Sequence, residues 1–163
     1  MPAAGHYPGS NGQVAYGEGL EIGYRGYAAR NQAPLFAFGH GLSYTRFGYA
    51  NLVVSKLGEH GGARVSLDVT NTGSVKGQDV VQVYVKYLNS PVQRPALTLV
   101  GFEKVVLSPG ETVRVVCDIA ADRLSYWDVE AQMFRSEPGT CELCIGASAA
   151  ELTLSSSIDF ASA

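Results

Sequence analysis

The chain has 163 residues, a formal net charge of -3, 46% hydrophobic and 17% charged residues. That balance is globular rather than disordered, and a chain this long can bury a core without disulfides or metals. The weak acidity offers no electrostatic basis for a nucleic-acid or anionic-membrane partner, and no apolar run approaches the roughly 20 residues of a membrane span.

The start, "MPAAGHYPGSNGQ", lacks the basic and apolar regions of a signal peptide and reads as coil entered partway along a polypeptide. Residues 1 to about 45 are rich in Gly, Tyr, Ala and Pro and hold neither a period of 2 nor one of 3.6. Irregular segments of this length usually pack on something or serve as linkers. This one is too aromatic for a flexible linker. Tyr7, Tyr16, Tyr24, Tyr27, Phe36, Phe38 and Tyr44 all want burial. It therefore reads as a segment that lies on a surface, one outside this chain. Within the isolated chain, its first 30 or so residues are expected to be mobile or to fold back.

From about Tyr49 the period changes to 2. "YANLVVSKL" alternates and ends in "GEHGG". "ARVSLDVTNTG" puts Val65, Leu67 and Val69 on one face and stops at Asn71-Thr72-Gly73. "GQDVVQVYVKYL" sets Val81, Val83 and Val85 against Val80, Gln82, Tyr84 and Lys86. Pro91 and Pro95 in "SPVQRPALTLVGF" suit an edge or a crossover between sheets. Strands follow in "ALTLVGFEKVVL" and "TVRVVCDI", joined by Ser108-Pro109-Gly110-Glu111, a type II turn pattern. "AADRLSYWDVEAQMFRSEPG" holds the single expected helical turn and two short strands; "TCELCIGAS" and "LTLSSSIDF" follow. Many short strands with regular turn signals predict an all-β sandwich.

Cys117, Cys141 and Cys144 are an odd count, which argues against a disulfide framework. "CELC" has redox or zinc spacing, but a redox pair opens a helix and zinc needs a second pair. On a strand, Cys141 faces the core with Leu143 and Ile145 while Cys144 faces out. One core thiol and one surface thiol are expected.

Six ordered blocks then carry a family likeness: "EGLEIGYRGY", "PLFAFGHGLSYTRF", "VTNTGSVKGQDVVQVYV", "LVGFEKVVLSPGET", "LSYWD" and "EPGTCELCIGAS". Together, from about Tyr7 to Phe160, they resemble the C-terminal end of a glycoside hydrolase family 3 enzyme of the β-glucosidase-like group. The first two blocks resemble the exit from that family's second catalytic domain. The rest resembles its fibronectin type III-like domain, an immunoglobulin-like β-sandwich. The resemblance implies a strap over residues 1–45 and a sandwich over 46–163. It also implies a retaining glycosidase as parent, whose nucleophile and acid/base lie on upstream domains with no counterpart here. No cofactor or metal is implied. Parents of this kind are secreted, periplasmic or cytoplasmic.

The implied partner is the parent's catalytic body, in cis or, if the gene is split, in trans. Tyr24, Arg25, Phe36, Phe38, His40 and Tyr44 are the expected packing residues. Gly39 and Gly41 read as allowances for a tight turn around His40. The family has a similar "RP" before its "L-x-GF" block. Arg94 accordingly reads either as a contact to the catalytic domains or as a solvated crossover residue.

Independent chemistry finds little footing. A retaining pair needs carboxyls about 5 Å apart across a cleft. Asp118, Asp122, Asp128 and Glu130 are the candidates, and each reads as a surface or capping acid. A triad of Ser43, His40 and Glu18 lacks the nucleophile-elbow pattern. His6, His40 and His60 lie in separate loops without metal-ligand spacing. A glycan platform is the stronger rival: Trp127, Tyr84, Tyr87 and Phe134 are its candidate aromatics. The competing expectation is that Trp127 fills the sandwich core.

Overall fold

The computed structural model describes residues 2–58 and 62–160. His60 lies outside the described residues. Nine strands form among the described residues: β1 (Phe47–Leu57), β2 (Gly62–Asn71), β3 (Gly77–Tyr87), β4 (Thr98–Leu107), β5 (Thr112–Ile119), β6 (Tyr126–Asp128), β7 (Met133–Arg135), β8 (Gly139–Ser148) and β9 (Glu151–Phe160). One sheet has the order β1-β2-β5, the other β4-β3-β8-β9, and β6-β7 is a separate two-stranded ribbon. All pairings are antiparallel. The two larger sheets face each other as an all-β sandwich, as the alternation predicts.

The core is built from the alternating sets. Val65, Leu67 and Val69 of β2 and Val81, Val83 and Val85 of β3 are buried together. Val115, Cys117 and Ile119 of β5 and Cys141, Leu143 and Ile145 of β8 complete it. Each such side chain is worth about 1.5–3 kcal/mol when buried. The turn at Ser108–Glu111 is type II: Gly110 has φ 75°, and the Glu111 N–H donates to Ser108 O at 3.0 Å.

Asn71, at the end of β2, is buried with every polar valence used. Its Nδ2 donates to Val75 O at 2.9 Å and Leu107 O at 3.0 Å. Its Oδ1 accepts from Thr45 Oγ1 at 2.5 Å and from the Gly73 N–H at 3.1 Å. The residue that reads as a simple turn signal thus pins the exit of the strap to the end of the sandwich.

Three expectations are corrected. First, the expected helical turn is α2 (Ala121–Leu124), but a second, α1 (Tyr24–Ala29), forms within the strap. Its six residues are too few to show a helical period, and contacts made through Tyr24 hold it. Second, Trp127 does not fill the core. It sits on the β6-β7 ribbon outside both sheets, 48% exposed. Leu124 instead joins the core from that region.

Third, Arg94 is neither solvated nor turned outward. Its side chain is 10% exposed and pairs with Glu137 at 2.9 Å. The guanidinium also donates to Leu124 O and Ser125 O, each at 3.1 Å. It lies 4.1 Å from the Tyr87 ring centroid and 5.1 Å from that of Tyr126. Planar donors and an aromatic face suit an arginine here. The β3–β4 crossover is thereby clamped to α2, β6 and the segment entering β8.

Candidate functional site: the strap on the outer sheet face

The outward face of β3 is not left to solvent. Tyr84 and Gln82 point there and are buried. Tyr24 of α1 meets the Tyr84 ring edge-on, with centroids 6.1 Å apart, and stacks on Phe38 at 4.6 Å. The Tyr24 hydroxyl accepts from the Leu99 N–H of β4 at 2.9 Å. The Phe38 carbonyl accepts from the Ala149 N–H at 2.9 Å. Gln82 holds the turn beneath: its Nε2 donates to Ala147 O at 2.5 Å and to Gly39 O at 3.3 Å, and its Oε1 accepts from the Tyr84 hydroxyl at 2.6 Å. Gly39 has φ 82°, and a Cβ there would lie 2.2 Å from Gln82 Oε1. Glycine is required at that position. Gly41 has no atom within 4 Å of a would-be Cβ, so the expected need for glycine there is not met.

The loop is thus anchored by Phe38 and Gly39 at its middle and by Thr45 at its exit. Between and around these anchors its apolar side chains stand in solvent. Leu35, Phe36, Leu42 and Tyr44 are exposed, with Leu42 at 96% and Tyr44 at 102%. His40 is exposed beside Phe36, the ring centroids 5.5 Å apart. Of the six expected packing residues, Tyr24 and Phe38 are spent partly on this chain's own sheet. Arg25 is half-buried, its guanidinium 6.0 Å from the Tyr24 ring centroid. Phe36, His40 and Tyr44 face outward. Gln82 and Asn71 escaped the sequence reading. A polar residue inside a run of valines, as in "VVQVYV", was the available signal for the first.

Phe38→Ala is expected to loosen the strap without unfolding the sandwich. It removes a stacked ring worth about 1 kcal/mol beyond its area. Amide hydrogen exchange in α1 should accelerate about tenfold while β3 and β8 amides stay protected. Unchanged exchange in α1 would show that the ring does not hold it.

Two of the acids considered for catalysis, Asp118 and Asp128, are engaged elsewhere. Asp118 accepts from Arg64 Nε and Nη2 at 2.6 and 2.7 Å, and this partner holds its carboxyl below the usual range. Asp128 accepts from the Ala131 and Glu130 N–H groups and from Arg135, with the Ala131 bond the largest cause of its lowered pKa. A general acid needs the opposite shift. Ser43 Oγ accepts from the Thr45 N–H at 3.3 Å, which is a local turn contact.

The thiols also depart from expectation. Cys144 faces away from Cys141, but it is not a surface thiol: it is 2% exposed under Tyr24, Tyr84 and Leu97. Burial pushes Cys117, Cys141 and Cys144 up to about 11. Reactive thiols are shifted the other way. Among the four candidate platform aromatics, Tyr84 is buried and Tyr87 is committed to Arg94 and to Leu124 O. Trp127 and Phe134 alone stand open, at 48% and 61% exposure.

Two facing antiparallel sheets with an outer face capped by a strap define a fibronectin type III-like sandwich. Residues 79–149 match the family model of the fibronectin type III-like domain. The chain is 46% identical over 154 residues to a β-glucosidase of Rhizobium radiobacter, covering 93% of this chain and 19% of that protein. It is 38% identical over 159 residues to thermostable β-glucosidase B of Acetivibrio thermocellus, covering 96% and 21% respectively. A β-glucosidase from Streptomyces venezuelae, solved with D-glucose, superimposes with TM-score 0.89 at 35% identity, over 94% of this chain and 20% of that one. A family 3 β-glucosidase from Bifidobacterium adolescentis gives 0.90 at 34%, over 97% and 23%. The chain belongs with the C-terminal, fibronectin type III-like region of glycoside hydrolase family 3 β-glucosidases. It spans about a fifth of the length of the curated relatives it matches.

Proposed function

We propose that this chain is a non-catalytic accessory domain that packs against, and stabilises, the catalytic body of a family 3 β-glucosidase. The parent activity on this reading is retaining hydrolysis of β-glucosidic bonds, carried by upstream domains. The observation that carries it is the strap loop: its backbone is hydrogen-bonded to the sheet side at Phe38 and Gly39, its Thr45 hydroxyl is bonded to Asn71, and it presents Leu35, Phe36, Leu42 and Tyr44 outward. A pre-ordered loop with exposed large side chains loses little entropy on docking. Burial of each is worth about 1.5–3 kcal/mol, a large share of the 5–15 kcal/mol that holds an ordinary domain together. The lowered pKa values of Asp118 and Asp128 argue against either as a general acid.

The test pairs this chain with the separately expressed catalytic region of a relative. The chain alone should not turn over an aryl β-glucoside. Added in trans, it should raise the thermal midpoint of the catalytic region, and Phe36→Ser with Tyr44→Ser should abolish that effect. Turnover by the pure chain, lost when one of its acids is replaced, would refute the reading.

A further inference from the structure

We propose that the cleft beside the β6-β7 ribbon binds a neutral, β-linked gluco-oligosaccharide. Trp127 and Phe134 are directly opposed across the ribbon, with ring centroids 5.2 Å apart and planes at 75°. Nearly perpendicular rings make a corner rather than a flat patch. They line a cleft together with Leu20 and Arg25 of the strap and Gln93 and Pro95 of the β3–β4 crossover. A site of this kind needs an apolar wall with a few polar groups. The ring faces carry negative quadrupole charge. They attract the partly positive axial C–H groups of an all-equatorial pyranose, while its hydroxyls reach the Arg25 and Gln93 donors.

Charge selects against other ligands. The ion pairs formed among the described residues leave four charged side chains of the lining outside them: Arg25 and Arg123 against Asp122 and Glu130, which cancel. Arg94 and Asp128 are already paired, with Glu137 and Arg135. A neutral lining does not concentrate a polyanion such as nucleic acid or a uronic polysaccharide. The choice of β-linked glucose rests on the accessory-domain reading above; the corner and the charge balance do not.

The chain reports on this site directly, because Trp127 is its single tryptophan. Titration with cellotetraose should shift tryptophan emission to a saturable limit, with affinity on the order of millimolar for so small a contact. Phe134→Ala should weaken binding about three- to tenfold with an unchanged core NMR spectrum, and Phe134→Tyr should restore it. An unchanged spectrum at millimolar cellotetraose overturns the proposal, as does unaltered affinity in Phe134→Ala. An equal response to maltotetraose overturns the β-linked assignment. An emission shift on mixing with a catalytic region, but not with sugar, assigns the cleft to that region and also overturns it. A silent sugar titration leaves the accessory-domain reading standing, since stabilisation of a catalytic region tests that separately.

Discussion

Arg94→Ala is expected to destabilise the isolated chain by about 3–5 kcal/mol, the cost of breaking a buried ion pair by removing one partner. The loss is large because three features fail together. Glu137, with its side chain 10% exposed, keeps a buried charge whose remaining side-chain donor is Ser90 Oγ. Leu124 O and Ser125 O lose their guanidinium donor, although Tyr87 still reaches the first. The Tyr87 and Tyr126 rings lose the cation between them. Urea unfolding should show a lower midpoint with little change in slope. Arg94→Lys should recover only part of the loss, because an ammonium lacks the planar fork that serves three acceptors. Replacing both partners, Arg94→Met with Glu137→Leu, should be milder than Arg94→Ala alone. A midpoint for Arg94→Ala equal to that of the native chain would contradict the clamp.

Alkaline pH should be the second large lever. Cys117, Cys141 and Cys144 are nearly fully buried, and burial favours the neutral thiol, raising each from 9.0 to about 11. In the unfolded chain the thiols ionise at their ordinary values, so above about pH 9 the unfolded state binds fewer protons than the folded one. The stabilising contribution is therefore complete below that pH and declines as pH rises toward 11. The slope is at most about 1.4 kcal/mol per pH unit for each thiol. Tyr87, raised by burial to about 12, extends the decline, and Tyr49 and Tyr84 are raised as well. Urea midpoints measured under reducing conditions at about pH 7.5, 9 and 10.5 should fall steeply between the last two. A triple Cys→Ala variant should be less stable at neutral pH but lose less across that interval. Coincident midpoints for the native chain at the lowest and highest pH would contradict the burial of the thiols.

Both effects depend on residues whose role is invisible in the linear pattern. "QRPAL" reads as a crossover, and nothing local says that Glu137, 43 residues on, closes over the arginine. "CELC" on a strand correctly assigns its two thiols to opposite faces. It does not say that the second face is roofed, because the roof comes from Tyr24, which lands on Tyr84 beside Cys144. Trp127 shows the converse. A lone tryptophan near a sandwich invites a core position, yet its strand pairs with β7, outside both larger sheets, and leaves the ring in a cleft.

What the sequence determined by itself is the strand framework. Side-chain facing in a strand is a local consequence of backbone geometry, so Val65-Leu67-Val69 and Val81-Val83-Val85 declare their inner faces directly. The Pro-Gly pair of Ser108–Glu111 declares its turn in the same way. Only the tertiary structure decided which outer faces are covered and which aromatics remain open. Those outcomes depend on pairs far apart in the chain, such as Tyr24 with Tyr84 and Thr45 with Asn71. Burial of an outward-facing side chain is a property of what lands on it, and no spacing rule along the strand encodes that.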